Sequence, residues 1–310
     1  MNQEAQPKRI GSFKRGWIIT KSAWHVLMLD KELLAVPLIT GIIGIAIAII
    51  GYGGGLLLSP HTISSNIPQS ADWISKNVDW HFTHWTWAIW IATSALLAIV
   101  STITLAAILA MSLKRMRGGD PVLRDGYAAV KGHFKALAFF SLLSFGVIQA
   151  LQYLESRLPF VGKILTFLGE IAWSVAAFFA IPVIVDSKEY VGPIDATKES
   201  LNIIKRTWKE SAVNQFTMGT IFLILILLEL FIGVSVTAAS AHFVNIFLGA
   251  FSGIVMLVVL LMTILVSSAM DGIAKAVLYY YAITGEAPEH FNKELLRQAF
   301  TPRKAKKVFV

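Results

Sequence analysis

Long runs of apolar residues, separated by shorter polar and charged stretches, dominate the pattern of this chain. Six such runs occupy residues 33–58, 85–113, 136–154, 164–186, 213–240 and 246–270. Their lengths suit an α-helix crossing roughly 30 Å of hydrocarbon, which takes about 20 residues. The third run is the most polar, with Gln149, Gln152 and Tyr153 near its end, but an odd number of spans would contradict the charge distribution. The pattern therefore predicts an all-α, polytopic membrane bundle of six transmembrane helices.

The first apolar run starts near Leu33, behind a polar and amphipathic stretch. It is longer than the apolar region of a signal peptide, which has about 7–15 residues. We therefore expect an uncleaved first span and a single integral membrane domain over residues 1–310. Its parts are an amphipathic cytoplasmic segment (1–32), the six-helix bundle (33–270) and a basic cytoplasmic tail (271–310).

Lysine and arginine are distributed unevenly between the two sides that six spans define. With both termini in the cytoplasm, 24 of the 27 Lys and Arg residues face the cytoplasm, and only Lys76, Arg157 and Lys163 do not. Basic residues are retained on the cytoplasmic side during insertion, so this asymmetry sets the orientation. The charge pattern predicts a multi-pass protein of the cell membrane with both termini cytoplasmic.

The amino-acid composition indicates which partners to expect and excludes cysteine chemistry. Hydrophobic residues make up 55% of the chain and charged residues 15%, against roughly 45–50% and about 25% in an average soluble domain. The net charge of +8 faces a leaflet whose anionic lipids attract basic residues, so we expect membrane lipids as partners and no nucleic acid. The chain contains no cysteine, which excludes disulfides and thiolate chemistry.

Three segments that precede spans one, three and five share a helical pattern of mostly apolar positions. The stripes comprise Phe13, Trp17, Thr20, Trp24 and Leu27; Leu123, Tyr127, Val130, Phe134 and Leu137; and Thr197, Leu201, Ile204, Trp208 and Ser211. Spacings of four and three residues place each set on one face of a helix. A lysine lies three residues before an aromatic ring in each segment: Lys21 and Trp24, Lys131 and Phe134, Lys205 and Trp208.

Such pairs are typical of a helix at the membrane surface, with its ring in the apolar layer and its lysine at the phosphates. The pattern predicts three interfacial amphipathic helices, and Ile273, Val277 and Tyr280 after span six indicate a fourth. The candidate lipid contacts are Trp17, Lys21, Trp24, Lys131, Phe134, Lys205 and Trp208. Two origins are open: duplication into three parallel helix-hairpin repeats, or convergence of juxtamembrane helices on one basic and aromatic pattern.

Three stretches of the chain resemble one known family. They are Phe13-Lys14-Arg15-Gly16-Trp17 with Asp30-Lys31-Glu32-Leu33-Leu34 and Pro37; Gly192-Pro193-Ile194-Asp195-Ala196 leading to Lys205-Arg206-Thr207-Trp208; and Ala276-Val277-Leu278-Tyr279-Tyr280-Tyr281-Ala282 with Gly285, Pro288 and Phe291. Together they resemble a bacterial and archaeal family of six-helix membrane proteins catalogued as domain of unknown function 6159. The resemblance implies a fold and a prokaryotic cell membrane, but no activity, ligand or catalytic residue. The chain departs from the usual tail at Asn292, where the family is expected to have Asp.

Glu229 lies near the middle of the predicted fifth span. A carboxylate there is costly unless it is paired, protonated or hydrated, so it indicates either ion or proton coupling or a hydrogen bond to a neighbouring helix. Glu170 lies about two turns into span four, at a depth that Gln149 and Gln152 share on span three. These three side chains are either a wet outer vestibule or polar contacts within a helix hairpin.

The loop between spans one and two carries a weak metal-binding pattern. Its carboxylates and imidazoles are metal ligands by type, but no convincing fourth ligand accompanies them. An interfacial loop with an aromatic belt explains the same stretch. The residues concerned are Asp72, Asp79, His81 and His84.

Other chemical patterns are weaker still. His25 and Asp30 have a spacing found in some acyltransferases, and Asp186 at the end of span four is close in sequence to Lys188. The chain has no phosphate-binding glycine loop, zincin motif or nucleophile elbow. We therefore expect no enzymatic activity, no cofactor and no metal.

The sequence favours a non-enzymatic integral membrane protein, in one of two versions. The first is a transporter or channel, with Glu229 as the coupling group and Glu170, Gln149 and Gln152 as its vestibule. The second is a scaffold whose interfacial helices bind anionic lipid or a partner protein, with a homo-oligomer as a further option. The versions differ in whether a water-accessible cavity reaches Glu229.

Overall fold

A computed structural model describes most of the chain. It covers residues 12–59, 61–63, 78–80, 83–207, 217–243, 245–288 and 291. Within these ranges only the backbone is described at residues 12–19, 61–63, 78–80, 159–160, 207, 217–221 and 243.

Helices account for nearly all of the described chain. They are α1 (Ser12–Leu29), α2 (Glu32–Ala48), a π-helical segment (Ile49–Gly53), α3 (Gly54–Leu57), α4 (His84–Met116), α5 (Leu123–Arg157), α6 (Pro159–Ala177), α7 (Ala180–Asp186), α8 (Pro193–Thr207), α9 (Thr217–Phe243) and α10 (Ile246–Thr284). Two short strands, β1 (His61–Ile63) and β2 (Val78–Trp80), form an antiparallel pair between α3 and α4.

Six helical stretches are long and apolar enough to cross a membrane. They are Glu32–Leu57, His84–Met116, Leu123–Arg157, Val161–Asp186, Phe222–His242 and Ile246–Thr284. The predicted all-α bundle with six transmembrane helices is therefore confirmed. We call the three pairs hairpin A (α2 to α4), hairpin B (α5 to α7) and hairpin C (α9 and α10).

Side-chain caps and a glycine set several helix ends. Thr83 Oγ1 accepts a hydrogen bond from the Thr86 N–H at 3.4 Å where α4 begins, and Asn245 Oδ1 accepts one from the Leu248 N–H at 2.8 Å where α10 begins. Each oxygen satisfies a backbone donor that has no partner within the helix. α10 ends before Gly285, whose φ of 71° lies in the left-handed region that favours glycine.

The four predicted amphipathic segments differ in how they join the spans. α1 ends before a non-helical residue, Asp30, and α8 is a separate helix. The second and fourth segments instead continue into α5, with 35 residues, and α10, with 39 residues. No proline interrupts either helix, so the hydrogen-bonded turns continue where the hydropathy falls. At about 1.5 Å per residue the two helices are about 52 and 58 Å long, well beyond roughly 30 Å of hydrocarbon.

The buried apolar core lies at one end of the bundle. We call this the basic end; it comprises α1, the connection between α4 and α5, α8 and the last turns of α10. The core is built from the three amphipathic segments and the ends of the even-numbered spans. Its largest fully buried side chains include Leu27, Ile108, Met111, Leu137, Phe179, Ile184, Ile273 and Val277.

The first three amphipathic segments pack in a cyclic order. The start of α5 lies on the end of α4, where Gly126 faces Met111 and Ala107, and α8 packs against α7. α1 precedes every span and packs against the last helix, α10, which closes the ring. Three parallel units related by an axis along the bundle would pack in this order. The packing favours the repeat hypothesis, although duplication stays a prediction.

Away from the basic end, each hairpin is held by a close approach at glycine. A Cβ atom at Gly51 would overlap Thr93 in hairpin A, and one at Gly249 would overlap Ala241 in hairpin C. Helix backbones approach this closely where glycine provides the room. The spans differ in how much of their most apolar stretch is buried within the protein. In the described part of the fifth span no residue of that stretch is buried, whereas in the second span 44% of the stretch is buried.

Candidate functional site

Glu229 lies on the face of α9 that packs against α10. On this face Gly233 meets Met256 and Thr237 meets Gly253. Glu229 is partly shielded, and its Oε1 atom is buried without a hydrogen-bond partner, as is Thr237 Oγ1. The seam between α9 and α10 thus holds two unsatisfied polar atoms in an apolar hairpin.

Glu170, Gln149 and Gln152 lie on hairpin B. α5 and α6 are in register where Thr166 Oγ1 donates to the carbonyl oxygen of Leu151 at 2.9 Å, and Glu170 is about one turn further along α6. Glu170 and Gln149 are partly shielded, and Gln152 is exposed. Within the described part of the chain, no hydrogen bond joins any two of these three side chains.

The four predicted intramembrane residues therefore lie in two separate places. Three are on hairpin B, and Glu229 is in the seam of hairpin C. α9 packs mainly against α10 and α1, whereas α6 packs mainly against α5. The structure does not bring Glu229 into a common site with the other three.

The candidate lipid contacts lie on the outside of the fold wherever their side chains are described. Lys21, Lys131 and Lys205 are exposed. Trp24 is 45% exposed and Phe134 is 50% exposed. The side chain of Trp17 and all of Trp208 lie outside the described residues.

The core uses other faces of the same helices. α1 buries Ala23, Val26 and Leu27, and the first part of α5 buries Ala136 and Leu137. The predicted stripes therefore divide: Leu27 and Leu137 enter the core, while the neighbouring aromatic rings stay outside. Those rings and their lysines are left to contact something other than the protein interior.

The continuous helix α5 defines how far its lysine and aromatic ring lie from the apolar part of the span. Leu142, within that part, is 43% exposed. At about 1.5 Å per residue, Phe134 lies about 12 Å from Leu142 along the axis, and Lys131 lies about 4.5 Å further. The headgroup layer is about 5–8 Å thick on each side of the hydrocarbon. A ring at the hydrocarbon edge would thus place the ammonium group among the phosphates.

An ion-pair network, which the hydrophobic pattern did not predict, connects the hairpins at the basic end. Its hub is the end of α4 and the short connection to α5. The bonds are Lys114–Asp125 at 2.7 Å, Arg115–Asp30, Arg115–Asp120 at 2.8 Å, Arg117–Asp186 at 2.5 Å, Leu123 N–H to Glu32 Oε2 at 2.9 Å, and Tyr279 O–H to Asp186 at 3.4 Å.

Asp30 is the most buried charged member of this network. Its side chain is 6% exposed, against 30% for Arg115. Arg115 donates through Nε and Nη2 to the two carboxylate oxygens of Asp30, the forked geometry that makes such pairs strong. A structural role, joining the α1–α2 break to α4, accounts for Asp30 without the acyltransferase chemistry considered from its spacing to His25.

Asp186 has a different partner from the one its sequence neighbours suggest. It pairs with Arg117, 69 residues away, across two hairpins. The nearby Lys188 is exposed. The sequence did not predict this structural junction at Asp186, because proximity along the chain was the only available signal.

Metal binding has no support within the described ranges, which hold no group of three or more His, Cys, Asp or Glu residues placed to bind a metal. Asp72, His81 and the side chain of Asp79 lie outside the described residues. The metal hypothesis for the loop between spans one and two therefore stays a prediction.

The six apolar spans and the helical core at one end fit an all-helical, multi-pass membrane protein. The chain belongs to the family of unknown function DUF6159, whose sequence profile matches residues 91–289. This match confirms the family assignment that the resemblance predicted, although the first of the three similar stretches, residues 13–37, lies outside the matched residues. No curated protein and no solved structure matches the chain.

Proposed function

We propose that the protein is a non-enzymatic scaffold of the cell membrane, whose basic end faces the cytoplasm and binds anionic lipid headgroups. One observation carries the proposal. On two helices whose other faces build the core, a lysine and an aromatic ring stay exposed three residues apart: Lys21 with Trp24, and Lys131 with Phe134. A ring in the apolar layer and an ammonium group at phosphate are complementary to the edge of an anionic leaflet.

Uncompensated positive charge at the same end supports the proposal. Among the described residues of the basic end, exposed lysines and arginines that form no salt bridge include Lys21, Lys31, Lys131, Lys135, Lys188, Lys205 and Arg206. Near an anionic membrane surface, each basic residue contributes at most about 1 kcal/mol of binding free energy. Screening by salt lowers this contribution. At the opposite end of hairpin B, Lys163 is exposed and provides a matched control.

The proposal is tested by measuring which lipids the protein retains. Protein extracted from mixed phosphatidylcholine and phosphatidylglycerol bilayers is analysed by native mass spectrometry, and the ratio of the two bound lipids is compared with the bulk ratio. Wild type should be enriched in phosphatidylglycerol. The combined change Lys21→Gln, Lys131→Gln and Lys205→Gln should lower that enrichment roughly tenfold, since up to about 3 kcal/mol of attraction is removed and part of it is screened.

The control Lys163→Gln removes one charge from the other end and should lower the enrichment much less than the triple variant does. Equal losses in the triple variant and the control would contradict the proposal, as would a wild-type protein with no preference for phosphatidylglycerol. Replacing Trp24 and Phe134 by Ala should weaken retention of both lipids, because the rings serve either headgroup.

Transport or channel activity is the second candidate, and Glu229 is the observation that favours it. Unsatisfied carboxylates within apolar spans mark ion and proton pathways in membrane proteins. Single cysteines on the shielded face of α9, Ile226→Cys and Leu230→Cys, are treated with membrane-impermeant thiol reagents. The absence of native cysteine makes the signal specific. Labelling at both positions, with none at Phe231→Cys on the outward face, would support a hydrated path, whereas protection of both supports the scaffold.

A further inference from the structure

Asp186 joins one element from each of the three hairpins. It ends α7 of hairpin B and pairs at 2.5 Å with Arg117, which follows α4 of hairpin A. It also accepts a hydrogen bond at 3.4 Å from the hydroxyl of Tyr279 in α10 of hairpin C. One carboxylate is thus the meeting point of all three hairpins.

Two aromatic contacts lie at the same junction. The ring centroids of Phe179 and Tyr279 are 5.8 Å apart, and Lys275 Nζ is 5.9 Å from the ring centroid of Phe178. Hairpin B meets α10 through α7, whereas α6 packs mainly on α5 and α9 mainly on α10. The attachment of hairpin B to hairpin C is therefore concentrated at the basic end.

The ion pair at this junction differs from the buried pair of Asp30. Arg117 has a side chain that is 50% exposed, and Asp186 is 16% exposed. A half-exposed pair is sensitive to salt, because counterions compete for the exposed partner. Asp30 instead pairs with Arg115 inside hairpin A and does not connect hairpins B and C.

We propose that Arg117, Asp186 and Tyr279 form a latch that holds the basic ends of the three hairpins together, and that its opening separates hairpin B from hairpin C at this end. The closed latch has one charge-assisted bond to hairpin A and one hydroxyl bond to hairpin C. Asp186→Asn removes the charge-assisted bond and leaves Arg117 and Tyr279 with one acceptor oxygen in place of two, so that α7 is held at this junction mainly by its apolar contacts.

The latch is tested by measuring the distance between hairpins B and C with spin labels. The chain has no cysteine, so labels are introduced at Tyr190→Cys, after α7, and Ile283→Cys, near the end of α10. These positions are 66% and 44% exposed. Double electron–electron resonance of the otherwise unchanged protein in nanodiscs should give one narrow distance distribution. Asp186→Asn should add a longer component, and raising the salt to about 1 M should do the same without the substitution.

A matched control keeps the interpretation specific. Asp195 pairs with Lys198 within α8, at 3.3 Å, so Asp195→Asn removes an exposed ion pair that involves none of the junction residues and should leave the distribution narrow. The exchange of charges, Arg117→Asp with Asp186→Arg, should restore the ion pair but not the bond from Tyr279, and should therefore give a distribution no broader than that of Tyr279→Phe. Tyr279→Phe should lengthen it less than Asp186→Asn, because only one of the two bonds is lost.

Three results would overturn the latch. One is an unchanged distribution in folded Asp186→Asn protein, and another is equal broadening by Asp195→Asn. The third is a wild-type distribution that stays narrow in high salt, which remains decisive if the substituted protein fails to fold.

Discussion

Removing Arg115 should destabilise the fold more than removing its partner Asp30. Asp30 is 6% exposed, and both of its carboxylate oxygens are bonded by Arg115. Arg115→Gln therefore leaves a buried carboxylate without its counter-charge. Asp30→Asn leaves a guanidinium group that is 30% exposed and is still paired with Asp120 at 2.8 Å. Both changes break the same ion pair, but Arg115→Gln leaves a buried carboxylate unpaired, whereas Asp30→Asn affects a guanidinium group that is partly exposed.

The expected costs follow from that difference. Breaking a buried pair by removing one partner costs about 3–5 kcal/mol, because an uncompensated charge stays buried. Water reaches the Arg115 side of this pair, so we expect Arg115→Gln to lower the free energy of unfolding by about 3 kcal/mol. Asp30→Asn keeps an acceptor and should cost about 1–2 kcal/mol. Asp120 is 86% exposed, and Asp120→Asn should have little effect.

The assay is reversible unfolding in dodecyl maltoside micelles with increasing sodium dodecyl sulfate, followed by the fluorescence of the nine tryptophans. The midpoints of mutant and wild type are compared only where their transitions have the same slope. A shifted midpoint then reports a change in stability and not a changed unfolded state. An equal or larger loss for Asp30→Asn than for Arg115→Gln would refute the reasoning. So would a loss for Asp120→Asn that matches either of them.

Three further predictions concern packing and buried polar groups. Gly51→Val should lower the thermal stability of detergent-solubilised protein by overlap with Thr93, at about 1–3 kcal/mol, whereas Gly53→Ala, next to open space, should not. Ser200→Ala should cost about 1–3 kcal/mol in the micelle assay, because a buried backbone N–H loses its hydroxyl acceptor; an unchanged midpoint would contradict this. Glu229→Gln should leave stability within about 0.5 kcal/mol, since the buried oxygen has no bond to lose, and a large loss would reveal a hidden partner.

The hydrophobic pattern located every span, because a helix crosses the lipid only where about 20 consecutive residues are mainly apolar. The first predicted span, 33–58, differs from Glu32–Leu57 by one residue at each end. The end of α10 could not be predicted in the same way. Hydropathy falls near residue 270, but the helix continues to Thr284, because a helix persists across a change of solvent when its backbone hydrogen bonds continue.

Long-range pairs were inaccessible to sequence reasoning. Asp271 and Lys275 are four residues apart on one helix, so their pairing needs no tertiary information. Asp30 and Arg115 are 85 residues apart, and the sequence offers many other basic partners for Asp30. The packing of α2 against α4 selects Arg115, because it brings the start of one helix next to the end of the other. The same limit applied to Asp186, whose distant partner belongs to another hairpin.

The surroundings of Glu229 and of the exposed lysines separate the two functional proposals on physical grounds. A coupling carboxylate must exchange an ion or proton with water, but Glu229 Oε1 is buried in a seam that Gly233 and Met256 close tightly. Transport therefore requires a second conformation in which α9 and α10 move apart near Gly233 and Met256. Lipid binding requires none, because Lys21 and Lys131 are exposed in the fold as it stands.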